Sequence, residues 1–61
     1  MERVIKILMK RDDLTYEEAK EMCEECREAM LEAIDGGHFD EAEEILRGNL
    51  GLEPDYIFDL I

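Results

Sequence analysis

Two cysteines three residues apart, Cys23 and Cys26, and a single imidazole, His38, are the side chains whose types and spacing could support chemistry in this 61-residue chain. Serine, glutamine and tryptophan are absent. A nucleophilic cysteine needs a base beside it and a third group to orient that base. The sequence instead surrounds the two thiols with Glu21, Glu24, Glu25 and Glu28, whose negative field raises a thiol pKa and disfavours the reactive thiolate. The Cys-x-x-Cys spacing also suits a metal, but a structural zinc site takes four tetrahedral ligands. Beyond the two thiols and His38, a carboxylate or a second chain would have to complete the set. Both cysteines fall on an apolar seam at helical spacing, where a free cysteine packs as a small hydrophobe, and packing is the favoured reading. His38 follows two glycines and is expected to be an exposed turn residue. A calcium loop needs a glutamate at its twelfth position, and the stretch beginning at Asp35 has Leu46 there. The chain is therefore expected to be nonenzymatic, with no catalytic, metal or cofactor residues.

The elements that carry these residues read as helices separated by short turns. From Glu2 to about Arg11, Val4, Ile5, Ile7, Leu8 and Met9 form a broad apolar arc opposite Arg3, Lys6 and Lys10, as an amphipathic helix requires. The run Val-Ile-Lys-Ile-Leu-Met would also suit a strand, but the chain has no second strand-like run to pair with it. Thr15 followed by Glu18 is a capping box, with Leu14 placed to staple onto Ala19. Behind it Ala19, Met22, Cys26, Ala29 and Ala33 recur at steps of three and four, joined by Cys23, Met30 and Ile34, until Gly36 and Gly37 end the helix. For the third helix Phe39 is expected as the staple, Asp40 as the N-cap and Glu43 in the capping-box position, with Ala42, Ile45 and Leu46 facing inward. Gly48 and Gly51 are expected to break the chain before a closing helix that starts near Pro54 and runs to about the C-terminus. The expected fold is all-α: one domain, residues 1–61, built as a small bundle of three to four helices around a central antiparallel hairpin.

Three phrases, Leu14-Thr15-Tyr16-Glu17-Glu18-Ala19, Gly37-His38-Phe39-Asp40-Glu41-Ala42-Glu43-Glu44-Ile45-Leu46 and Leu50-Gly51-Leu52-Glu53-Pro54-Asp55-Tyr56, carry a likeness. Over most of its length the chain resembles the small, acidic, uncharacterised helical proteins common in phage and prophage genomes. The resemblance implies a setting in which such proteins act on host machinery, some by inhibiting nucleic-acid-handling defence enzymes, and assigns no role to a residue here. The phrase around His38 also looks like the turn of a tetratricopeptide pair, but 61 residues cannot hold the minimum of about three 34-residue repeats.

Charge separates the functional classes further. Met1 to Arg11 carries four basic side chains against one acid, a net of +3 within a total of −11, so the remaining residues hold −14. Such self-repulsion costs stability while giving solubility and long-range attraction for basic surfaces. On helix two, Glu17, Glu21, Glu24, Glu25, Glu28, Glu32 and Asp35 share the face away from the seam, and Glu41 and Glu44 extend it onto helix three. Carboxylates thus recur about every 5.4 Å turn, a coarse imitation of phosphates along a nucleic-acid strand. Lys20 and Arg27 are almost the only compensating cations; a merely solubilising helix face is the alternative meaning of this run. The basic first helix could neutralise the acids internally or join another copy. In the closing helix, Tyr56, Ile57, Leu60 and Ile61 share one arc while Phe58 points with Asp55 and Asp59 to the other, as an interface anchor would.

Direct nucleic-acid binding and anionic membranes are disfavoured by the −11 charge. The start of the chain lacks a signal-peptide pattern and no apolar run is long enough to span a bilayer, so an intracellular, soluble protein is expected, and the phage-type resemblance implies that the compartment is a bacterial host's cytoplasm. The leading expectation is a protein-binding inhibitor or adaptor that docks on a basic, nucleic-acid-binding surface of a host protein. Glu17, Glu21, Glu24, Glu25, Glu28 and Glu32, with Asp55, Phe58 and Asp59, are its candidate contacts. The alternative is a structural or oligomerisation module, such as a homodimer, acting through apolar helix contacts.

Overall fold

A computed structural model describes residues Met1–Ile61, all of them in helices or short connections. The order is α1 (Glu2–Asp12), α2 (Tyr16–Asp35), α3 (Phe39–Leu50), a single 3-10 turn (Pro54–Tyr56) and the one-turn α4 (Ile57–Leu60). The fold is an all-α bundle with no strand, centred on the antiparallel α2–α3 hairpin, with α1 on α2 and α4 on α1. Its extents are 34 × 18 × 16 Å, and the long dimension is set by α2, whose 20 residues rise about 30 Å.

The start of α2 forms as the capping box requires. The Glu18 backbone N–H donates to Thr15 Oγ1 at 3.2 Å and the Thr15 N–H donates to Glu18 Oε1 at 3.0 Å, satisfying donors the first turn leaves open. At the other end, the Gly37 N–H donates to the Ile34 carbonyl at 2.9 Å and the His38 N–H to the Ala33 carbonyl at 2.8 Å. This is the paired closure of a Schellman motif, with Gly37 at φ 82 in the left-handed position.

That closure corrects the expected start of α3. His38 leaves the α2 motif with its carbonyl free, and it accepts from the Ala42 N–H at 3.2 Å, so helical bonding begins before Asp40. His38 is the N-cap, no side chain caps the helix, and Asp40 and Glu43 form no capping box. Phe39 is the first helical residue and is 42% exposed rather than a buried staple. Gly48 likewise does not break the chain: it lies within α3, which ends only where Gly51 turns left-handed at φ 66. Beyond Pro54 the closing segment is a 3-10 turn and one α turn, not a continuous helix.

One core joins these pieces. Thirteen residues are buried, none of them polar or charged. Val4, Ile5 and Leu8 come from α1, Ala19, Cys23, Cys26 and Met30 from α2, Ala42, Leu46 and Leu50 from α3, and Leu52, Ile57 and Leu60 from the closing segment. At about 25 cal/mol per Å² of apolar surface removed from water, this shared core is the main force opposing chain entropy and charge repulsion.

Candidate functional site

The core-facing seam of α2 determines where its carboxylates go. With Ala19, Cys23, Cys26 and Met30 buried, the opposite arc at 100° per residue carries Glu17, Glu21, Glu24, Glu25, Glu28 and Glu32, and all six are exposed. Glu17, Glu21 and Glu24 share a shallow surface depression with Tyr16 and Lys20. The Tyr16 hydroxyl donates to Glu2 Oε1, tying the beginnings of α1 and α2 together. Acceptance by that carboxylate raises the Tyr16 pKa.

No ion pair joins the acidic arc to the basic side chains of α1. The two ion pairs of the molecule are Arg3 with Asp59 at 3.6 Å and Arg11 with Asp12 at 2.8 Å. Neither reaches α2 or α3, and Lys6 and Lys10 are exposed. Arg11 binds its neighbour through both ends, Nε to Oδ1 at 3.0 Å and Nη2 to Oδ2 at 2.8 Å, and this hydrogen bonding lowers the Asp12 pKa. The α2 carboxylates thus stand without an ion-pair partner, while Arg3 and Arg11 of α1 are each paired with an acid outside α2 and α3.

The closing-segment candidates separate from the α2 glutamates. Phe58 is 77% exposed and Asp55 beside it in the closing segment is exposed, and α4 is seated on α1. Asp59 is half-buried and turned toward Arg3. Ile61, expected on the inward arc with Tyr56, Ile57 and Leu60, is 40% exposed, although its N–H still donates to the Ile57 carbonyl at 3.1 Å.

Both cysteines are core residues, at 0% and 1% exposure for Cys23 and Cys26. Burial raises both thiol pKa values, with the neighbouring Cys26 adding to the effect at Cys23 and the Asn49 side chain opposing it at Cys26. Cys26 Sγ rests 3.6 Å from Met30 Sδ. No group of three or more His, Cys, Asp or Glu side chains is gathered where an ion could be held. His38 is exposed at the α2–α3 turn.

One surface was not singled out from the sequence. Along the outer side of the α2–α3 seam two depressions follow one another, the first between Met22–Cys26 and Gly48–Leu50, the second between Ala29–Ala33 and His38–Ile45. The available signal was the cluster of small residues at the edge of the seam, Ala29, Ala33 and Gly48, which leave room where larger side chains would close it.

No protein-family model matches the chain, nor does any curated protein or any solved structure. No helix is long and apolar enough to cross a membrane.

Proposed function

We propose that this chain is a nonenzymatic protein-binding module of the phage type, an inhibitor that docks its acidic face on a basic, nucleic-acid-binding surface of a host protein. The observation that carries this reading is the exposed arc Glu17, Glu21, Glu24, Glu25, Glu28 and Glu32, left unpaired because both ion pairs of the molecule lie elsewhere. Such a surface is repelled by phosphate and attracted by the cationic grooves that phosphate occupies. The partner is a protein, and the chain binds no nucleic acid or membrane itself. The test is recovery from a bacterial lysate on the tagged protein, eluted by a salt gradient and followed by competition with nucleic acid. A basic partner released at moderate salt and displaced by nucleic acid supports the reading. Undiminished inhibition after Glu21, Glu25, Glu28 and Glu32 are all changed to lysine refutes it.

A second reading, a structural or homodimeric module, is favoured by Phe58 and Ile61, which are 77% and 40% exposed on the closing segment. It predicts a partner that resists high salt and a melting temperature that rises with protein concentration.

A further inference from the structure

The open side of the α2–α3 seam has the form of a groove. Two depressions, of about 370 and 390 Å³, follow one another there; their accessible apolar surface comes from half-buried Met22 in the first and half-buried Ala29, Ala33 and Ile45 in the second, Cys26 and Leu50 being buried beneath the first. The rims are polar and exposed, with Glu25 and Glu32 on the α2 side and Glu41 on the α3 side. Met22, Ala29 and Ala33 follow one another along α2 by seven and four residues, so the row they form is about 16 Å long, or three helical turns.

Gly48 lines the first depression from α3. It sits inside α3, has no positive φ, and a Cβ built there meets nothing within 4 Å. The fold has no conformational need for it, although glycine in a helix interior costs about 1 kcal/mol relative to alanine. Its effect is to keep one wall of the groove low.

We infer that this groove seats a cationic amphipathic helix of the partner protein. Aliphatic side chains at helical spacing enter the floor, while lysine or arginine on the flanks meets Glu25, Glu32 and Glu41. The inference rests on the acidic-docking reading above and adds where the partner binds and which element it presents. Charge complementarity selects this occupant over a second copy of the chain. A second copy brings its own net charge of −11, and the apolar arc of its one basic helix is already buried, with Val4 and Leu8 at 0% exposure.

The test uses two fluorescein-labelled peptides of about 16 residues, matched to the groove length. One has leucine and alanine on a single helical face flanked by lysine and arginine; the other has the same composition with the faces scrambled. Anisotropy is read at low salt and at about 0.15 M. The amphipathic peptide is expected to bind at least about tenfold more tightly than the scrambled one, a discrimination that contact with a shaped apolar floor can supply. Gly48→Gln fills the wall and replaces a poor helix former with a better one, so the resulting loss of binding, about tenfold, is not a loss of folding. Removing charge from the arc outside the groove, with Glu17→Gln, Glu24→Gln and Glu28→Gln together, is expected to weaken binding of both peptides alike by slowing their association at low salt, while the preference for the amphipathic one is kept. Equal binding of both peptides, unaffected by Gly48→Gln but abolished by salt, overturns the groove and leaves the acidic-docking reading standing. Failure of both peptides to bind at low salt overturns both.

Discussion

The guanidinium of Arg3 lies 3.6 Å from the Asp59 carboxylate and 5.0 Å from the centroid of the Tyr56 ring, so one side chain of α1 holds two members of the closing segment. That segment is short, one 3-10 turn and one α turn, too little to be stable alone. Its place is set by burial of Ile57 and Leu60 and by this polar clasp at the edge of the core.

Arg3→Ala removes both contacts. Exposed ion pairs and exposed cation–π contacts each contribute about 0.5–1 kcal/mol, and the expected loss is about 1 kcal/mol, read as a lower urea midpoint. Arg3→Lys restores the charge without the planar stacking and recovers only part of it. An unchanged midpoint in Arg3→Ala would mean that burial of Ile57 and Leu60 alone fixes the closing segment.

Local chemistry was legible in the sequence to the extent that it was decided locally. Thr15 and Glu18 are three residues apart and satisfy each other's backbone, so their capping box is readable without the rest of the chain. Asp40 and Glu43 have the same spacing, yet the bonds that close α2 end at His38, and the next helix starts directly from it. The all-α class followed from apolar periodicity, which α1 and α2 keep in their buried residues. The candidate site was legible as composition: the six α2 glutamates face outward because the opposite face is apolar. Its limits were not. Asp59 is drawn away by Arg3 from the opposite end of the chain, and the α2–α3 groove exists only once two helices are packed side by side. Neither follows from residue spacing within one element.

Backbone geometry gives a pair of predictions with opposite signs. Asp13 ends α1 in the left-handed conformation, at φ 54 and ψ 44, which costs a residue with a Cβ about 1 kcal/mol and which asparagine tolerates well. Its carboxylate also stands at the negative end of the helix dipole. Asp13→Asn is therefore expected to raise stability by about 0.5 kcal/mol. Gly51 has the same handedness at φ 66, and a Cβ there falls 3.3 Å from Arg11 Nη1. Gly51→Ala is expected to lower stability by about 1 kcal/mol. Thermal melts of the two variants check both signs at once.

The capping box links stability to pH. Thr15→Ala is expected to cost about 1 kcal/mol, the usual value of an N-cap. Hydrogen bonds from Thr15 hold the Glu18 pKa below that of an ordinary glutamate. A carboxylate whose pKa is depressed by folding adds stability above its unfolded pKa and loses it as pH falls through its folded pKa. The stability gap between the native chain and Glu18→Gln is therefore expected to be full at neutral pH and to close as acid protonates Glu18. Chemical denaturation of both proteins across that range measures it, and a gap independent of pH would assign the effect to the shape of the side chain rather than its charge.

Cys23 and Cys26 should report on folding. Both are buried and have raised thiol pKa values, so a thiol reagent at mildly alkaline pH is expected to label them only when the core opens. The labelling rate should rise with urea in step with unfolding. Cys26→Ser places a hydroxyl where the sulfur met Met30, and the expected cost is about 1–3 kcal/mol. Rapid labelling of the native chain would show that the α2–α3 seam opens locally without global unfolding.

Glu28 decides whether the acidic arc works or only keeps the chain in solution. Its neighbours one turn away on α2 are Glu24 and Glu32, and like charges at that spacing destabilise a helix. Glu28→Lys converts both repulsions into attractions and moves the chain away from its net charge of −11. The melting temperature is therefore expected to rise by a few degrees in low salt, and the gain to shrink as salt screens the charges. A solubilising face would lose nothing by this change. A docking face would lose affinity for its basic partner, mostly as a slower and less salt-dependent association. Greater stability with weaker binding marks carboxylates held against the preference of the fold; greater stability with unchanged binding removes the arc from the interface.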